Sequence, residues 1–218
     1  MRFGVLGTGG VGQTLATKLV ELDHDVMMGA RQKGNEKAVA WADTAGSRAR
    51  EGSFADAAAF GEIIINATAG SASVDALTAA GTDNIGTKVL IDVSNPLDFS
   101  EGMPPTLTVC NADSLGEQIQ RAFPNARVVK TLNTINSDVM VNPQMIPGDH
   151  VLFVSGNDGD AKKQVAELLG TFGWPAERVI DMGDLTSARA TEMYVMLWIR
   201  LMGPMGGPHF SIAIEKAS

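Results

Sequence analysis

The chain has 218 residues, 44% hydrophobic and 19% charged, enough to bury a full core in one large domain or in a main domain with a small appendage. Its net charge of −8 speaks against a nucleic-acid partner, which would need a basic face, but allows a phosphate held by backbone N–H groups and one or two cations. Cys110 is the sole cysteine, so no intrachain disulfide can form. A strand is expected from residue 3, so no signal peptide is expected, and the most apolar stretch, 193–202, is short and contains Arg200. A cytoplasmic protein without membrane contact is expected.

The apolar run 3–6 leads directly into Gly7-Thr8-Gly9-Gly10-Val11-Gly12, whose Gly7, Gly9 and Gly12 have the G-x-G-x-x-G spacing of a dinucleotide-binding turn. Gly7 suits the tight turn, Gly9 close approach of a pyrophosphate, and Gly12 close packing of helix on strand. Phosphates would sit at the helix N-terminus, where unpaired N–H groups and the helix dipole favour an anion. With 24 glycines in the chain the spacing alone is weak; its context strengthens it. Leu15, Leu19 and Leu22 follow at helical spacing, and a second strand starts at Val26. Strand, turn, helix and strand occupy about thirty residues, the length of a βαβ unit.

An NAD site usually carries an acid about 20 residues past the glycine turn, to hold the ribose 2′-OH. No Asp or Glu lies between Asp25 and Glu36. The stretch instead offers Arg31, with Lys33 and Asn35 beyond it. A guanidinium grips a phosphate in bidentate fashion and stacks on adenine, so Arg31 suits the 2′-phosphate of NADP(H), with Lys33 adding a second charge. Asn35 closes this loop and is counted among the cofactor-binding residues.

Strand-like runs recur at 3–6, 26–28, 62–67, 88–93, 126–130, 150–154 and 178–181. Helical patterns occupy 10–22, 34–45, 54–60, 72–80, 114–122, 160–172 and 184–201, and Ser53 with Asp56 has capping-box character. This alternation predicts an α/β fold: a Rossmann-type, doubly wound, mostly parallel sheet with a small C-terminal helical extension. Residues 1–155 would form the NADP-binding core. Residues 156–218 would complete the sheet and a pocket for a second substrate.

Ligands of such sheets bind at the C-terminal edges of the strands. There the chain places small or polar residues: Ala67, Thr68 and Ala69; Asn95 and Pro96; Asn133 and Thr134. Small side chains let a nicotinamide ribose approach the backbone, while Asn95, Asn133 and Thr134 offer hydrogen bonds to carboxamide or substrate. Each also fits ordinary turn chemistry.

An acid for carbonyl reduction is not evident. Tyr194 is the sole tyrosine, and Trp198 stands four residues on, so the Tyr-x-x-x-Lys pair is absent. His24 lies in a helix–strand turn and reads as structural, and His150 opens a strand and reads as a cap or a solvent-facing residue. His209, in the Gly/Pro-rich terminal segment, is the histidine kept as a site candidate. No all-helical substrate domain fits in the residues left. The chain is read as positioning a cofactor, without a catalytic side chain or a metal. Hydride transfer to a flavin or deazaflavin meets that description, because the ring itself stores the charge. Met193, Met196, Met202 and Met205 in or beyond the last helix suit core packing, a subunit interface in a homodimer, or a pocket for a flat aromatic ligand.

The glycine turn, Gly29-Ala30-Arg31, Lys130-Thr131-Leu132-Asn133-Thr134-Ile135 and the segment 183–192 together resemble the NADPH:coenzyme F420 oxidoreductase family, over nearly the whole chain. The resemblance implies NADPH on the glycine turn, Arg31 on its 2′-phosphate, and the deazaflavin coenzyme F420 stacked on the nicotinamide. It also implies Leu185, Ser187, Arg189 and Met205 as candidates for the second pocket. Two other readings are an NADPH-dependent flavin or ferric reductase, and a non-catalytic NADP(H) sensor.

Overall fold

The computed structural model of the chain describes residues 1–217. In chain order its elements are β1 (Arg2–Leu6), α1 (Gly10–Glu21), β2 (Asp25–Ala30), α2 (Glu36–Ala45), β3 (Ala49–Ser53), α3 (Phe54–Phe60) and β4 (Ile63–Asn66). There follow α4 (Ser73–Ala80), α5 (Thr82–Ile85), β5 (Val89–Asp92), a hairpin of β6 (Leu97–Asp98) and β7 (Thr106–Leu107), and α6 (Leu115–Ala122). The chain continues through β8 (Arg127–Thr131), α7 (Ser137–Val141), β9 (Leu152–Gly156), α8 (Gly159–Thr171), β10 (Val179–Asp181) and α9 (Ala188–Leu201).

Strands buried on both faces read as unbroken apolar runs, and Ile63-Ile64-Ile65 and Val89-Leu90-Ile91 are of that kind. Successive side chains of a strand point to opposite faces. Phe3, Val5, Ile63, Ile65, Val89 and Ile91 therefore pack with α1, α2, α7 and α8 on one side. Leu6, Ile64, Leu90 and Val128 pack with α3, α4, α5, α6 and α9 on the other. Both faces of the sheet are thus covered, as the doubly wound reading requires.

The strand order is β3-β2-β1-β4-β5-β8-β9-β10. The first six are parallel; β9 runs antiparallel to β8, and β10 parallel to β9. From β1 the chain winds outward through β2 and β3, then crosses back to β4 on the other side. That reversal opens a crevice beyond the C-terminal ends of β1 and β4, where ligands of such sheets bind. The sheet runs without a break through the segment expected as an extension, and the expected boundary at 155 falls inside β9.

Ser53 and Asp56 form the capping box that starts α3, and the expected last helix opens as a 3-10 turn at Leu185–Ser187 before α9. His150 is not solvent-facing: it lies edge-on to Trp174, ring centroids 5.2 Å apart, with both ring nitrogens shielded. His24 packs against Phe3 in its helix–strand turn, and burial lowers its pKa.

Candidate functional site

Gly7, the residue after β1, has φ +118°, a conformation glycine adopts without strain, and a Cβ there would meet the Ala67 carbonyl oxygen at 2.5 Å. Gly12, in the first turn of α1, sits so close to the strand that a Cβ would lie 2.2 Å from the Gly7 carbonyl oxygen. Gly9 is the N-cap of α1 and has no side chain to satisfy the first N–H groups, and the space where its Cβ would stand is open. The turn thus leaves backbone donors and free room at one place.

That place opens on a cleft of two lobes. The larger, about 630 Å³, is lined by Gly7, Thr8 and Gly9, by Ala30, Arg31 and Asn35 after β2, by Phe54, and by the alanine face of α4. The smaller, about 250 Å³, lies between Val11 and the ends of β4 and β5, with Val93, Ser94, Asn95, Leu97 and Phe99 on its walls. Ala67, Thr68 and Ala69 line both lobes and form the ridge between them.

Gly10 and Gly12 shape the turn without lining a lobe. Asn35 caps α2, its side chain accepting from the N–H groups of Lys37 and Ala38. Lys33 is exposed two residues beyond Arg31. Asn95 and Asn133 bond to each other, and Thr134, next to Asn133 in sequence, is buried. The Pro96 carbonyl accepts from the N–H and hydroxyl of Thr108, which ties the β6–β7 hairpin to the lobe.

The candidates from the terminal region line neither lobe. Leu185 is buried against α6, and the Ser187 hydroxyl donates to the Met182 carbonyl. Arg189 forms a bidentate pair with Glu117 at 2.8 and 2.6 Å, and this guanidinium holds the Glu117 carboxyl below its ordinary pKa. Met205 is exposed. His209 Nε2 lies 2.9 Å from Asp138 on α7, a helix that packs on α1.

Sequence reasoning missed Phe54, Asp75 and Phe99 on the lining, and the alanine wall of Ala72, Ala76 and Ala79. The alanine spacing was a usable signal, since positions four and three apart share a helix face. Phe99 had none, because it follows a strand of two residues. The reading also missed a buried ionic cluster behind the smaller lobe, formed by Asp92, Lys130 and Glu192. Burial alone would lower the Lys130 pKa, but the Asp92 and Glu192 carboxylates outweigh it and raise the ammonium above its ordinary value.

Among the described residues no helix is long and apolar enough to cross a membrane. Residues 2–96 match a protein family described as NADP oxidoreductase, coenzyme F420-dependent. A crystal structure from Arthrobacter sp. FB24, provisionally named an F420-dependent NADP-reductase, is 49% identical, covers 99% of this chain and 100% of its own, and superposes with a TM-score of 0.93. Metalloreductase STEAP3 of Rattus norvegicus is 29% identical over 195 residues, 88% of this chain, and the chain spans 36% of that protein's length. A reductive aminase from Aspergillus terreus in complex with NADPH shares the fold at 18% identity and a TM-score of 0.65, over 94% of this chain and 62% of its own.

Proposed function

We propose that this chain, which belongs to the family of coenzyme F420-dependent NADP oxidoreductases, binds NADP(H) along the two-lobed cleft and transfers a hydride between it and the deazaflavin coenzyme F420. Family membership makes it an NADP-dependent oxidoreductase. The acceptor and the residue roles are our reading.

In that reading the larger lobe takes the adenosine half, with the pyrophosphate on the backbone donors of the Gly7–Gly12 turn and the 2′-phosphate on Arg31, assisted by Lys33. The smaller lobe takes the nicotinamide half, where Thr68 and Asn95 orient the ring and its ribose. The supporting observation is that Arg31 and the glycine turn line one lobe, which joins a second across Ala67–Ala69. NADPH supplies a hydride from its nicotinamide ring, and the deazaflavin takes it up together with a proton. Val11, Val93 and Leu97 make the smaller lobe apolar and exclude water from the reacting edge. Phe99, 55% exposed at the mouth, offers a ring face to a planar second ligand. The exposed Met193 and Leu197 of α9 support a homodimer, for which the expected solution mass is that of two chains.

The test is a screen of acceptors against NADPH oxidation. Bleaching of deazaflavin absorbance is expected with coenzyme F420, and its absence overturns the acceptor assignment. The similarity to a metalloreductase favours a second reading, NADPH-dependent flavin or ferric reduction, which turnover of FMN, FAD or a ferric chelate alone would support. Tight NADPH binding without turnover of any acceptor would instead mark a sensor.

A further inference from the structure

Lys130, near the end of β8, is 1% exposed and directs its ammonium donors into the protein. They reach Asp92 Oδ2 at 2.8 Å, the Ser94 carbonyl at 2.6 Å and Glu192 Oε1 at 2.8 Å. Glu192 belongs to α9, and its carboxylate also accepts from the N–H groups of Leu115 and Gly116 at the start of α6. Asp92 carries the chain of bonds onward. Its Oδ1 accepts from the Ser94 hydroxyl at 2.6 Å and from Asn66 Nδ2 at 2.8 Å. Asn66 Oδ1 in turn accepts from the Thr68 hydroxyl at 2.7 Å.

The two ends of this network, Ser94 and Thr68, both line the smaller lobe, one after β5 and the other after β4. Those segments touch without slack, because a Cβ on Gly70 would stand 2.0 Å from the Asn95 carbonyl oxygen. Two carboxylates and one ammonium with almost no exposure are costly to desolvate, and apolar residues of similar shape often serve stability as well or better. Stability is therefore a weak reason for keeping such a cluster, and the bonds it makes point to a second role. What charged groups supply that apolar ones cannot is direction: each bond fixes a carbonyl, a hydroxyl or an amide in one orientation.

We propose that Glu192, Lys130 and Asp92 are positioning residues for the nicotinamide end of the cleft, holding Ser94 and Thr68 in register so that the C-terminal helix sets the shape of the smaller lobe. The inference rests on the reading of the lobes given above. None of the three side chains lines the cleft, and each acts through Ser94 or through Asn66 and Thr68.

Two variants test it. Glu192→Gln removes one charge at the far end of the network. The double variant Asp92→Asn with Lys130→Met deletes one charge of each sign, so the cluster's net charge is unchanged. Binding is measured for NADPH and for 2′,5′-ADP, which has the adenosine half and the extra phosphate but no nicotinamide. Hydrogen exchange is followed at residues 66–73 and 92–97. The expected result is 2′,5′-ADP affinity within about twofold of wild type, as for independent sites. NADPH affinity should fall about tenfold, with faster exchange in both segments and unchanged exchange in α8. Equal weakening of both ligands, or a lower Tm with neither affinity nor exchange altered, would overturn the proposal and leave the cluster merely structural. If wild type binds no 2′,5′-ADP, the lobe assignment fails, and the exchange measurement still decides whether the cluster orders the two segments.

Discussion

Asn95 and Asn133 exchange hydrogen bonds at the end of the sheet: Asn95 Nδ2 donates to the Asn133 carbonyl at 2.8 Å, and Asn133 Nδ2 donates to Asn95 Oδ1 at 3.0 Å. The residue before Asn133 is Leu132, which holds φ +63°, a left-handed conformation that costs a branched side chain on the order of 1 kcal/mol or more. The strain turns the chain sharply after β8 and delivers Asn133 to its partner. Asn95 lines the smaller lobe, so the pair fixes one wall of it.

Asn133→Ala removes the donor to Asn95 Oδ1 and leaves that part-buried oxygen unpaired, a loss of about 1–3 kcal/mol. We expect a lower Tm and, because Asn95 shifts in the lobe wall, slower NADPH turnover. Binding of 2′,5′-ADP should be unchanged. Unaltered turnover at a temperature where the variant is folded would remove the pair from any role in the cleft.

Arg31→Ala should weaken NADPH far more than NADH. A charge-assisted contact to phosphate contributes about 1.5–3 kcal/mol, a tenfold to hundredfold preference. Equal loss for the two dinucleotides, read by titration of each, would exclude Arg31 from the 2′-phosphate.

Phe99→Ala should raise the KM for the deazaflavin while leaving the NADPH Kd alone. Aromatic stacking contributes about 0.5–1.5 kcal/mol beyond burial, so an increase of roughly twofold to tenfold is expected. If the NADPH Kd moves and the acceptor KM does not, Phe99 faces the dinucleotide instead.

The Glu117–Arg189 pair couples α6 to α9 and makes a pH-dependent contribution to stability. The hydrogen bonds from Arg189 hold the folded Glu117 pKa below its unfolded value. A depressed carboxyl stabilises the fold above the unfolded pKa, and that stabilisation is lost as pH falls through the lower, folded pKa. Glu117→Gln should therefore lower Tm at pH 7 and narrow its difference from wild type as the pH is taken well below 4. A difference that is constant with pH would show that the charge on Glu117 is not what joins the helices.

Much of the fold was legible because the parallel strands are apolar on both faces and the helices between them carry clear periodicity. The elements that escaped were those with little of either. β3 is an edge strand, Ala49-Arg50-Glu51-Gly52-Ser53, paired on one side and mostly polar. α7 has five residues and the hairpin strands two each, too short for a period to show. At the site, the glycine spacing and Arg31 could be read locally because one stretch of chain carries each of them. The Asp92–Lys130–Glu192 cluster could not, since its members are separated by 38 and 62 positions and meet only when β5, β8 and α9 pack. Arg189 entered only through the family resemblance, as a candidate for the second pocket; its partner Glu117 lies 72 positions away, and no local pattern joins the two.

The most direct test of the account is isotope transfer. NADPH dideuterated at nicotinamide C4 is mixed with the protein and coenzyme F420, and the reduced deazaflavin is weighed by mass spectrometry. Direct hydride transfer across the smaller lobe predicts one deuterium in each reduced deazaflavin molecule. Reduced deazaflavin carrying no deuterium, or no reduction at all while NADPH is bound, would contradict it.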